Sequence, residues 1–157
     1  MRRFSVALLL ACAALACSRA RAVEARTAPE TAAVPVAAGP RAEGQGFVVE
    51  VVSPAEATIG AAGVVKVVLK PTGGYHVNKE FPTALTVTAP AGVDVPKAKQ
   101  TPADAAKFTD DGAVFEVAFT TKDGGEKSFE ASFKFAVCTS ETCDPKSEKL
   151  AWKLVSK

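Results

Sequence analysis

After Gly46 the chain alternates hydrophobic and polar residues with a period of two. Phe47 to Val52 is a short β-branched run closed by Ser53-Pro54. Gly63 to Lys70 alternates and stops at Pro71-Thr72-Gly73-Gly74. Tyr75 to Asn78 and Ala84 to Thr88 are two further short runs, and Val93 and Val95 follow a Pro90-Ala91-Gly92 turn. Ala113 to Thr121 places Phe115, Val117 and Phe119 on one face, after the turn Asp110-Asp111-Gly112. Beyond Lys122-Asp123-Gly124-Gly125, Ser128 to Val137 places Phe129, Ala131, Phe133, Phe135 and Val137 on one face and Glu130, Ser132 and Lys134 on the other. Lys149 to Val155 ends the series with Leu150, Trp152 and Leu154 inward. Alternation of this kind is the signature of half-buried strands, because successive side chains of a strand point to opposite faces.

These runs amount to about seven or eight short strands punctuated by turn residues, which predicts an all-β domain, an immunoglobulin-like β-sandwich. A helical reading fails because Gly and Pro interrupt every segment and the 3.6-residue period is missing. Thr101 to Lys107 shows neither period and reads as a helical turn or a loop.

Composition adds to this reading at the N-terminus. Met1-Arg2-Arg3 is followed by Phe4 to Ala16, apolar apart from Ser5. About a dozen apolar residues are too few to span a bilayer but suit the core of an export signal, assigned to residues 1–22. Two cleavage readings stand side by side. Ala20-Arg21-Ala22 would release a chain starting at Val23, whereas Ala14-Leu15-Ala16-Cys17-Ser18 resembles a bacterial lipoprotein box, with Cys17 as the lipidated first residue. Either way the protein is expected in the periplasm, soluble or lipid-anchored, where disulfides persist. Residues 23–45, rich in Ala, Pro, Glu and Arg, cannot bury enough apolar surface to order themselves and read as a linker. Residues 46–157 then form one domain, expected to be monomeric.

The full chain carries a net charge of +2, and one starting at Val23 loses four arginines and carries −2. No basic stripe with interleaved aromatics appears, so nucleic acid is not an expected partner.

Of the four cysteines, Cys12 and Cys17 lie in the signal region. The domain retains Cys138 and Cys143, separated by Thr139-Ser140-Glu141-Thr142 at a strand–turn–strand junction. Four intervening residues allow a hairpin-like loop that sets the two thiols opposite each other, at a spacing within reach of a disulfide. Alternation from Phe129 puts Cys138 on the polar face, reachable from solvent. A structural immunoglobulin disulfide instead joins distant strands across the two sheets beside a core Trp. A local bond on the wet face is the more exchangeable kind. The alternative is a staple that only pins the hairpin, worth about 2 kcal/mol for so short a ring.

The segment Phe133-Lys134-Phe135-Ala136-Val137-Cys138-Thr139-Ser140-Glu141-Thr142-Cys143-Asp144-Pro145 resembles the strand–Cys–x4–Cys–x–Pro segment of the N-terminal periplasmic domain family of the thiol:disulfide interchange protein DsbD. Upstream, Gly74-Tyr75-His76-Val77-Asn78-Lys79, with Pro82-Thr83 and Leu85 to Thr88, is similar to the Gly-aromatic-His-x-Asn stretch of many such domains. The resemblance covers Phe47 to Val155 and rests on order and spacing together. It implies an immunoglobulin-like sandwich and redox roles for Cys138 and Cys143, with Cys143 forming the mixed disulfide. It also implies a membrane-embedded or thioredoxin-fold thiol–disulfide protein as partner, and no cofactor. The sequence shows neither the multi-span membrane domain nor the thioredoxin-like domain of full-length DsbD, so a partner reductant is expected. The aromatic cap loop that shields the disulfide in that family would fall near Thr101 to Lys107, where Phe108 is the nearest aromatic.

His76 is the single histidine. It could join the cysteines on a metal, but a tetrahedral site needs a fourth ligand that no spacing supplies. It reads instead as a structural strand residue, and Tyr75 and Trp152 read as core with their polar atoms satisfied. Glu141, Asp144 and Lys146 flank the thiols, either tuning their pKa values or sitting as solvated turn residues. Two functions from different classes remain: a thiol–disulfide exchange module, and a non-catalytic immunoglobulin-like binding or scaffold domain with a stapled hairpin.

Overall fold

The computed structural model describes residues 39–157. The export signal with Cys17, and residues 23–38 of the expected linker, lie outside the described residues. In chain order the strands are β1 (Arg41–Gly44), β2 (Phe47–Val52), β3 (Glu56–Ala57), β4 (Ala62–Pro71), β5 (His76–Val77), β6 (Ala84–Thr88), β7 (Val93–Asp94), β8 (Lys99–Gln100), β9 (Lys107–Thr109), β10 (Gly112–Thr121), β11 (Gly125–Cys138) and β12 (Cys143–Ser156). One sheet runs β1-β2-β4-β10-β7, with β9 also on β10, and the other runs β3-β12-β11-β6-β8, with β5 also on β11. Every pairing is antiparallel except β3 with β12. The order β2-β4-β10-β7 facing β12-β11-β6 is that of an immunoglobulin-like sandwich, the expected fold. Among the described residues no helix is long and apolar enough to cross a membrane.

The alternating residues meet between the sheets. Phe115 and Phe119 of β10, and Phe129, Phe133 and Phe135 of β11, are all at most 1% exposed. Three edge-to-face pairs bridge the layers: Phe47–Phe135 at 5.0 Å, Phe115–Phe133 at 5.5 Å and Phe119–Phe129 at 5.7 Å between ring centroids. Each such pair adds about 0.5–1.5 kcal/mol to the stabilisation from buried area. Trp152 stacks on Phe129 at 5.2 Å and is buried as expected, but its Nε1 has no hydrogen-bond partner.

The structure adds elements that the alternation does not reveal. Arg41–Gly44, within the segment read as linker, is a strand paired with β2. Just before it, the Gly39 carbonyl accepts the Ala151 N–H at 2.9 Å, and the Pro40 carbonyl accepts the Val51 N–H at 2.7 Å. These residues contribute little apolar surface. Backbone hydrogen bonding to two open sheet edges orders them, so composition carries no sign of it. The weakly patterned stretch after Thr101 divides into a 3-10 turn at Pro102–Asp104 and the short strand β9. β12 begins at Cys143 rather than Lys149, pairing with β11 over all 14 residues of each strand.

The turn between β1 and β2 supports the end of the sandwich that carries the cysteines. Gly46 has φ +83°, and a Cβ there would lie 2.6 Å from Cγ of Tyr75. The Tyr75 hydroxyl accepts Gln45 Nε2 at 3.0 Å, so the ring is held directly before β5. Gly46→Ala therefore combines a left-handed backbone with a clash, and the backbone cost alone is about 1–3 kcal/mol. A lower urea midpoint is expected; an unchanged midpoint would show that the turn relaxes freely.

Candidate functional site: the disulfide end of the β11–β12 hairpin

β11 and β12 pair in register up to Cys138 opposite Cys143. The loop between them closes on itself. The Thr139 N–H donates to the Thr142 carbonyl at 2.8 Å, and Thr139 Oγ1 accepts the N–H groups of Glu141 and Thr142, both at 3.2 Å. A threonine that engages the backbone two and three residues on is a local turn former. The facing Cα atoms are 4.0 Å apart and the two sulfurs are bonded. The sequence motif thus forms the local disulfide expected of it.

The two sulfurs are not equivalent. Cys143 is exposed, whereas Cys138 is only 3% exposed. This corrects the expectation that Cys138 is reachable from solvent. Alternation does place it on the outer face with Lys134, but that face is open only part of the way along β11. β6 pairs with β11 as far as Lys134, and β5 then takes over, with His76 opposite Cys138 and Val77 opposite Val137. The Asn78 N–H continues the ladder to the Ala136 carbonyl at 2.9 Å. Ala136, on the same outer face, is likewise buried, at 1% exposure.

Asn78 is the side chain that engages the disulfide. Its Oδ1 accepts the N–H groups of Glu80 at 2.9 Å and Phe81 at 3.1 Å, an Asx-type turn. That leaves Nδ2 as the donor, and it lies 3.6 Å from Cys143 Sγ, a normal reach to a large sulfur atom. Sequence reasoning quoted Asn78 within a motif but gave it no role. The usable signal was an Asn followed by a Pro82-Thr83 loop, which marks a turn whose side chain bonds locally.

The flanking charges are placed differently from the thiols. On β12, Asp144, Lys146 and Glu148 share the inner face with Leu150, and Cys143 points to the other. Lys146 pairs with Asp144 and lies 5.8 Å above the Phe47 ring. It is thus engaged on the face opposite Cys143. Burial raises the pKa of Glu148, with Lys146 partly opposing the shift. Glu141 is exposed in the loop.

Phe108 does not shield the disulfide: its ring packs edge-on to Phe115, 6.4 Å away, at the margin of the core. The β9–β10 turn contributes in another way. The Asp110 carbonyl accepts the Val77 N–H at 2.9 Å, and the Asp110 carboxylate pairs with Lys79 at 3.0 Å, fixing both ends of the Asn78 segment. His76 is exposed beside the disulfide. Among the described residues no group of three or more His, Cys, Asp or Glu could hold a metal ion. A groove lined by Pro40, Val51, Phe129 and Trp152 includes neither cysteine.

No protein-family model and no curated protein matches the chain. Several solved structures are similar at low identity, three of them as follows. One is native alpha-2-macroglobulin from Escherichia coli, from domain MG7 to the C-terminus, at 10% identity over 71% of this chain and TM-score 0.47. The chain spans only 16% of that structure's length. Another is AggA, the major subunit of aggregative adherence fimbriae type I from Escherichia coli, at 11% identity over 71% of this chain and 95% of that one, with TM-score 0.38. The third is a cohesin module from a Clostridium perfringens family 33 glycoside hydrolase, at 12% identity over 73% of this chain and 100% of that one, with TM-score 0.33. At these values none of them bears on what this chain does.

Proposed function

We propose that the protein is an exported thiol–disulfide exchange module. Cys138 and Cys143 would pass reducing equivalents between a thioredoxin-fold or membrane thiol–disulfide partner and other exported proteins. The observation that carries this reading is the asymmetric disulfide, one sulfur exposed at a loop and the other buried where β11 pairs with β5. The resemblance to the DsbD N-terminal domain family supports it. The setting would be the bacterial periplasm, with Cys17 as lipid anchor or a soluble chain from Val23.

Exchange needs one accessible sulfur and one that leaves. A partner thiolate attacks Cys143 Sγ, the disulfide breaks, and Cys138 leaves with the bonding pair and takes up a proton. The partner's second thiolate then attacks its own sulfur in the mixed disulfide, and Cys143 leaves. Two electrons have reached the domain, which now holds a Cys138 thiol and a Cys143 thiolate, and the partner holds the new disulfide. The reverse sequence delivers them onward.

A scaffold domain with a stapled hairpin has less to support it. The hairpin is already paired along all 14 residues of β11, so the bond adds little to its cohesion. Reduction should accordingly cost only about 2 kcal/mol of stability. The domain is expected to equilibrate with a mild dithiol buffer while circular dichroism stays that of the folded sandwich. Structural disulfides usually lie below about −300 mV. If this one resists millimolar dithiothreitol until the domain is denatured, exchange is excluded and the staple stands.

A further inference from the structure

We propose that Asn78 is a positioning residue for this exchange, holding an N–H on Cys143 Sγ so that Cys143 is the sulfur carried as thiolate. The inference rests on the exchange reading and adds to it the group that sets the reactivity of Cys143.

The amide has its orientation imposed from behind. Two backbone N–H groups, of Glu80 and Phe81, both point at Oδ1. A flipped amide would turn its own NH2 on those two donors, so Nδ2 is committed to the sulfur side. The segment is also fixed in space by the Asn78 N–H on β11 and by the Lys79–Asp110 ion pair. In the disulfide the contact to Cys143 Sγ is weak, because bonded sulfur is a poor acceptor. Once Cys143 leaves the mixed disulfide, its sulfur carries the electron pair, and the same N–H becomes a hydrogen bond to an anion. Such bonds favour the charged form and lower its pKa. For attack on a partner disulfide the same contact acts by raising the fraction of Cys143 present as thiolate at neutral pH, a gain only partly offset by the lower nucleophilicity of a stabilised thiolate.

The ionisable groups around Cys143 do not offer this stabilisation. On β12, Asp144 and Lys146 pair with each other on the opposite face. In the loop, Glu141 is exposed and acidic. Beside β5, Lys79 is held by Asp110. His76 faces Cys138 in register and is exposed. Asn78 is the side chain hydrogen-bonded to the sulfur.

The test uses Cys138→Ser protein, in which Cys143 is the one thiol among the described residues. The pH dependence of iodoacetamide alkylation and the ultraviolet absorbance of the thiolate report its pKa without any protein partner. Asn78→Asp is the informative variant. Its carboxylate still accepts from Glu80 and Phe81, so the turn is kept, but the donor is replaced by a negative charge. Its Cys143 pKa is expected to rise by at least about one unit, which lowers the thiolate fraction at neutral pH by up to about tenfold and slows alkylation several-fold, and Asn78→Ala should rise by less. Circular dichroism should be unchanged in Asn78→Asp. An unaltered Cys143 pKa in folded Asn78→Asp protein overturns the role of Asn78, whether or not the wild-type disulfide exchanges with dithiols. Failure of that wild-type exchange, with the Asn78→Asp shift present, would instead overturn the exchange reading and leave Asn78 as a hydrogen-bond donor that sets only the Cys143 pKa.

Discussion

A Cys138→Ser chain is expected to trap a mixed disulfide rapidly through Cys143, and a Cys143→Ser chain to trap it much more slowly. The probe is a thioredoxin-fold protein with one active-site cysteine, activated as a disulfide with an aromatic thiol. Attack by the domain's thiolate releases that thiol, whose absorbance is followed. Cys143 is exposed beside the loop, so its attack needs no opening. Cys138 is 3% exposed, beside the strand β5, so the packing around it must open first. An opening free energy of only about 1.4 kcal/mol already imposes a tenfold difference, and buried segments commonly need more. Equal rates for the two variants would mean that the burial of Cys138 is not maintained in solution. A faster Cys143→Ser chain would reverse the assigned roles.

Phe133→Ala is expected to cost about 3–5 kcal/mol of folding stability, the usual range for a buried phenylalanine. The ring is fully buried, 5.5 Å from Phe115 across the sandwich and 4.9 Å from Phe135 along its own strand. Its removal leaves a cavity where the two sheets meet and takes away both aromatic partners at once. Domains have only about 5–15 kcal/mol to lose, so the variant is expected to be barely folded at room temperature. The neighbouring Lys134→Ala is the control. Lys134 is exposed on the outer face, and such changes usually stay within about 0.5 kcal/mol. Urea unfolding of both variants gives the comparison. A loss below about 1 kcal/mol at Phe133 would contradict the packing of β11 against β10.

Much of the architecture was legible because a strand writes its two faces into the sequence. Phe115, Val117 and Phe119, and the row from Phe129 to Val137, fall on the inner faces that their alternation assigns. The row extends back to Lys127, buried at 6% exposure, because its amine reaches Asp123 at the end of the strand. β1 was not legible, since Arg41 to Gly44 is ordered by backbone pairing to β2 rather than by burying apolar side chains. The first half of β12 was also hidden. Asp144, Lys146 and Glu148 occupy its inner face where a core strand would carry apolar residues, and the continuous register with β11 is what makes the segment a strand.

The candidate site divides along the same line. A hairpin spacing between two thiols is local information, enough to set Cys138 and Cys143 facing each other across a short loop. Alternation also assigned Cys138 its side of the sheet correctly. Whether that side is open to solvent depends on which other strand runs alongside, and no periodicity within β11 records it. The closing strand and the amide on the sulfur come from β5 and Asn78, 65 positions away from Cys143 along the chain. Which sulfur is buried and which is exposed follows from the three-dimensional packing, because exposure is set between segments that are distant in sequence.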